Sequence, residues 1–178
     1  MDAWLHEAWT TVVSEFSDLS DASQLTRLLL RLGVALTLGG LIGVERERRG
    51  HPAGLRTHML VALGAALFTF VPLEAGFERS DVSRVLQGLV SGIGFLGAGA
   101  IIKLSATRQV QGLTTAASIW TTAAIGVAAG LGRETTAVVT TLVALAILAV
   151  LRPIERRIGS DDARDGQRND RGGAREEE

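Results

Sequence analysis

From Leu113 to Arg152 the chain reads LTTAASIWTTAAIGVAAGLGRETTAVVTTLVALAILAVLR, two apolar runs divided only by Leu131-Gly132-Arg133-Glu134. Each run, 113–131 and 134–152, approaches the roughly 17–25 residues that an α-helix needs to cross a bilayer. Hydrocarbon offers no water to backbone N–H and C=O groups, so a run of this kind must close its hydrogen bonds within itself, as a helix. The break is too short for anything but a turn, so the two runs form a helical hairpin. Further runs lie at about 25–44, 57–75 and 85–104. The expected fold is an all-α membrane protein: a bundle of five transmembrane helices over 25–152, between an acidic segment 1–24 and a charged tail 153–178.

Bulk composition conceals this. The 178 residues are 21% charged with a formal net charge of -1, as in many soluble domains, yet residues 25–152 hold only 18 of the 37 charged side chains. Without cysteine there is no disulfide framework, zinc finger, thiol nucleophile or iron–sulfur site. The three histidines show no HExxH spacing, which argues against a zinc enzyme. Near-neutral charge and the lack of a basic, aromatic groove argue against a nucleic-acid partner.

The charges that remain carry the topology. Basic residues stay on the cytoplasmic side, and one side collects Arg46, Arg48, Arg49, Arg56, Lys103, Arg108 and the tail arginines, thirteen in all. The other collects Arg79, Arg84 and Arg133, with Arg27 and Arg31 if they snorkel outward, five in all. An N-out, C-in arrangement follows. Trp4, Leu5, Trp9, Val12, Val13 and Phe16 fall at helical spacing in a start with no Lys or Arg, which predicts an amphipathic helix lying in an interface. The tail has 14 charged residues in 26 and reads as disordered.

Glycine, 21 of 178 residues, concentrates inside the spans. Small residues let helix backbones approach closely in lipid. Gly39 with Gly43, Gly88 with Gly92, and Gly94, Gly97 and Gly99 are the expected packing positions, with Trp120 against the glycine surface of the third span. A shift of 58 positions aligns Leu38-Gly39 with Leu96-Gly97, Gly54-Leu55 with Gly112-Leu113 and Thr57 with Thr115, a weak repeat that would relate two parallel hairpins.

Polar chemistry gathers on the cytoplasmic face. Glu45, Arg46, Glu47, Arg49, Arg56, Thr57 and His58 occupy the first connection, and Lys103, Thr114 and Thr115 flank the third at the same depth. Glu45 precedes Arg49 in the favourable i,i+4 order for an ion pair, and Pro52 and Gly54 turn the chain back. These ten residues form the candidate functional cluster, with two alternatives open: a topology signal that ends a helix, or a binding or gating site. Hydroxyls in such helices often bond only their own backbone. No acid, base and nucleophile converge, so neither a catalytic nor a cofactor site is expected. Gly92, Gly94, Gly97 and Gly99 imitate a dinucleotide fingerprint, but inside an apolar span rather than after a strand. Glu45, Glu47 and His51 could ligate a metal, but neighbouring arginines compete for the same carboxylates.

The run from Gly39 to Glu47, the run from Pro52 to Gly64, the block Gly92–Ile101 and the block Gly112–Trp120, in this order and spacing, resemble the signature of the MgtC/SapB family of bacterial membrane proteins. The resemblance covers roughly 25–150. It implies a non-enzymatic multi-pass protein of the plasma (inner) membrane, associated with magnesium homeostasis and, in some pathogens, with survival inside host cells. It also implies membrane partners, notably the F-type ATP synthase and a magnesium-importing P-type ATPase. Virulence-associated members carry a cytoplasmic domain resembling an ACT fold, whereas here a charged tail follows the last span, so the short SapB-like branch is the closer comparison. The functional expectation is a regulatory or stress protein acting by helix–helix contact with itself or other membrane proteins; the alternative is a small oligomeric cation channel or transporter.

Overall fold

A computed structural model of the chain describes residues 2–15, 21–104 and 112–149, leaving the expected tail, Phe16 and Arg108 outside the described residues. Six helices run through them: α1 Asp2–Glu15, α2 Ala22–Arg48, α3 Leu55–Glu74, α4 Arg79–Leu104, α5 Leu113–Gly130 and α6 Glu134–Ala149. Four of these, α2 to α5, are long and apolar enough to cross a membrane. The fifth expected span appears as the shorter α6, and its last three positions, 150–152, lie outside the described residues.

Local chemistry sets the helix ends. Asp21 caps α2: its Oδ1 accepts from the Ser23 N–H at 3.0 Å and its Oδ2 from the Ser23 hydroxyl at 2.8 Å, the arrangement that satisfies an orphan donor of a first turn. These bonds, the backbone one foremost, hold the Asp21 carboxyl below the usual carboxylate range. At the other end α2 runs on through Arg48, beyond the apolar stretch expected at 25–44, because Glu45 to Arg48 remain good helix formers. Gly50, at φ 71°, then turns the chain in a conformation that a Cβ disfavours. Gly132, also at φ 71°, closes the α5–α6 hairpin in the same way.

The helices α2, α3 and α5 pack mutually and form the centre of the bundle. Ala35, Leu38, Ile42, Ala62, Ala66, Ile125, Ala129 and Ala137 make one core, and α6 joins it through Ala137, Leu145 and Leu148. On the other side α4 packs on α5 and less extensively on α3, with Ile93 meeting Ala65, Ile119 and Ala123. Helix α1 packs against none of the helices α2–α5, and Trp4 and Trp9 stay exposed.

Glycine decides the closest approaches. A Cβ on Gly39 would stand 2.7 Å from Ala62 Cβ and 2.8 Å from the His58 carbonyl oxygen, and one on Gly43 would stand 2.6 Å from Leu55 Cα. Between α5 and α3, Gly126 rests on the Ala62 carbonyl and Gly130 on the Ala66 carbonyl, a GxxxG pair facing the small row Ala62, Ala65, Ala66 and Thr69. Helix α4 makes fewer such approaches within the chain. Only Gly97 approaches a neighbour, with 3.5 Å to Ala116 Cβ, whereas a Cβ on Gly88, Gly92, Gly94 or Gly99 would meet nothing within 4 Å among the described residues. Trp120 is half exposed and borders the aliphatic Leu86, Leu89, Val90 and Ile93 of α4 rather than its glycines.

Arg31 is tied into the bundle instead of snorkelling away. Its Nη1 donates to the Gly130 carbonyl at 3.0 Å, at the end of α5, and its guanidinium lies 5.3 Å from the centre of the Phe70 ring. A cation is favoured at a helix C-terminus, and a charged hydrogen bond contributes roughly 1.5–3 kcal/mol. Arg31→Ala should therefore destabilise the bundle by about 2 kcal/mol, with exposed Arg27→Ala near neutral; equal unfolding midpoints for the two variants in mixed micelles would contradict this contact.

Candidate functional site

The last turn of α2 meets the first turns of α3 and α5 at one end of the bundle. Arg46 is 3% exposed and Glu45 13%, so both side chains have left water. Arg49 Nε stands 2.5 Å from Glu45 Oε1 and Arg46 Nη1 stands 3.9 Å from Glu45 Oε2, placing one carboxylate between two guanidiniums. Arg49 reaches further: its Nη1 donates to the Leu148 carbonyl at 3.2 Å, fastening α6 to the end of α2. With Arg31 on Gly130, α2 and its C-cap Arg49 thus hold backbone carbonyls of two other helices.

Glu47 acts across the turn. Its Oε2 accepts from the Leu55 N–H at 2.8 Å and so caps α3, whose N-cap residue Gly54 has no side chain for the task. His58, one turn into α3, is wholly buried. Its Nδ1 lies 2.9 Å from the Gly54 carbonyl oxygen, which can only accept, so Nδ1 carries the proton. Its Nε2, then an acceptor, is 3.2 Å from Ser118 Oγ, whose single hydroxyl proton is shared between that nitrogen and the Thr115 carbonyl oxygen at 2.8 Å. This chain of bonds ties the first turn of α3 to the first turn of α5.

The ten candidate residues therefore divide. Glu45, Arg46, His58 and Thr115 are withdrawn from solvent at the helix junction, with Arg49 partly so. Glu47, Arg56 and Thr114 are exposed, and Thr57 lines a cavity together with Thr115. Lys103 belongs to α4, and its side chain lies outside the described residues. Ser118 was not among the ten, although it stands three residues after Thr115 on one face of α5; nothing in its sequence neighbourhood points to a histidine 60 positions away. Both carboxylates considered as metal ligands are engaged, Glu45 by arginines and Glu47 by a backbone N–H. No group of three His, Asp or Glu side chains suited to a metal occurs among the described residues.

The MgtC family profile matches residues 32–157, which contain the whole cluster and helices α3 to α6. The chain belongs to the MgtC family. Among its relatives, protein SrpB of Synechococcus elongatus is 42% identical over 140 residues, covering 72% of this chain and 77% of that one. Protein MgtC of Brucella abortus is 50% identical over 124 residues, covering 69% and 50%. Protein MgtC of Salmonella typhimurium is 43% identical over 130 residues, covering 73% and 54%. The aligned part thus spans about half the length of those two MgtC proteins. No solved structure matches. The four long apolar helices and the family together make this MgtC-family chain a membrane protein.

Proposed function

We propose that this MgtC-family chain is a non-enzymatic regulatory or stress protein of the bacterial inner membrane, linked to magnesium homeostasis, and that it works by contact with other membrane proteins. The observation that carries the reading is the asymmetry of the bundle. Helices α2, α3 and α5 are knit by glycine contacts and by Arg31 on the Gly130 carbonyl, whereas α4 leaves Gly88, Ser91 and Gly92 uncovered on one face. In lipid, small residues on an open helix face offer close approach to a second helix.

Two finer features belong to the same reading: the N-out, C-in orientation with α6 completing a fifth span, and the internal repeat. The repeat has support in the packing, because the contact of Gly39 with His58 has a counterpart 58 residues on, in the contact of Gly97 with Ala116. The charged junction supports a partner protein over an ion pathway, since its carboxylate is already neutralised by Arg46 and Arg49.

Photoreactive residues at Ser91 and at exposed Arg48 test the proposal in native membranes. They should recover a membrane protein, the F-type ATP synthase and a P-type magnesium transporter being the first to seek. Adducts with lipid and with the same chain alone would count against it, and cation flux through the purified protein in liposomes would favour a channel. Growth of a deletion strain at low magnesium tests the physiological link.

A further inference from the structure

We propose that the cavity between α3, α4 and α5 is a binding site for an acyl chain of an anionic phospholipid whose headgroup is held at Arg56. It goes beyond the partner-protein reading and does not depend on it. The cavity encloses about 310 Å³ and is walled by Val61, Phe95, Leu96 and Ile119, with Thr57 and Thr115 on α3 and α5 as its polar lining. That is the size and character of a small amphiphile site, apolar with a few placed polar groups. The space exists because α4 has Gly99 and Ala100 here; a Cβ at Gly99 would meet nothing within 4 Å.

Two observations select the occupant. The first is the setting of the cavity: Phe95 is 82% exposed and Leu96 50%, and Leu60 on the adjoining face of α3 is 66% exposed. Apolar side chains this bare, on helices long enough to span a membrane, face acyl chains. The second is charge. Arg56 is exposed one helical turn before Leu60 and next in sequence to Thr57. The N-terminus of α5 lies at this end of the bundle, and a helix N-terminus favours an anion, whereas that of α3 is already taken by a carboxylate. Glu47, the exposed carboxylate nearby, is held on the Leu55 N–H. An apolar slot with one exposed guanidinium next in sequence to its polar lining matches a molecule with a chain and a net negative head. A zwitterionic lipid lacks the charge and free phosphate lacks the chain.

The test uses the full chain in nanodiscs of mixed phosphatidylglycerol and phosphatidylcholine, released into detergent, with retained lipids counted by native mass spectrometry. The wild-type chain should keep phosphatidylglycerol in preference. Arg56→Gln should lower that preference about fivefold, the effect of one basic residue near a charged headgroup. Gly99→Leu, which grows into open space and suits a helix better than glycine, should reduce retention of both lipids. Ala100→Leu serves the same purpose if that variant does not insert, and helical ellipticity confirms folding of each. Equal retention of the two lipids by the wild-type chain, or undiminished retention by the cavity-filling variants, would overturn the proposal. So would displacement of the lipid by inorganic phosphate, or a lipid-free dimer, which would assign the face to a second copy.

Discussion

Gly126→Ala should cost the bundle about 2 kcal/mol, while Gly92→Ala should leave its stability unchanged or slightly raised. The same chemical change meets opposite surroundings. At Gly126 the new Cβ runs into the Ala62 carbonyl oxygen and stands 2.9 Å from Ala65 Cβ. Neither neighbour is a flexible side-chain tip, so α3 and α5 must separate. Overpacking a tight contact costs roughly 1–3 kcal/mol, and more where backbone must move. Alanine's helix propensity returns up to ~1 kcal/mol of this. At Gly92 a Cβ meets nothing within 4 Å, so only the propensity gain remains. Unfolding midpoints in mixed micelles, followed by helical ellipticity, report both variants. Equal shifts would mean that α5 does not sit against α3 through Gly126 and Gly130.

Glu45→Ala should destabilise by about 3 kcal/mol, the lower end of what is lost when one partner of a buried ion pair is removed. The lower end is apt because Arg49 keeps 26% exposure. If the pair were a solvated topology signal, the loss would stay below ~1 kcal/mol. The excess arises because the substitution leaves two guanidiniums, one of them only 3% exposed, without their carboxylate. A double-mutant cycle with Arg49→Met isolates the pair, and a coupling of about 1–3 kcal/mol is expected. A coupling near zero would show that Glu45 and Arg49 act independently.

Both predictions concern features half visible in the sequence. The i,i+4 spacing of Glu45 and Arg49 marks an ion pair wherever a helix forms, because the spacing alone brings the two onto one face. Whether that pair lies in water or in the bundle depends on α6, whose Leu148 carbonyl receives Arg49 from 99 positions away. His58 is similar: its bond to Gly54 is local, but its burial and its contact with Ser118 arise only when α3 and α5 pack. The glycine pairs make the same point in reverse. Gly88 with Gly92 and Gly126 with Gly130 have the same spacing, and only the second is buried in this chain.

The sequence by itself determined the class of this protein. Helix formation in hydrocarbon is dictated by the length and polarity of each run, local quantities that need no neighbour, and the four blocks of family signature lie along those runs and the first connection. The tertiary structure decided which small residues touch, which arginines fasten helix ends and which face of α4 is left open. Those outcomes depend on how far each helix is rotated about its own axis. In lipid that rotation is set by the fit of distant surfaces rather than by a polar–apolar stripe, because the surrounding chains are as apolar as the core.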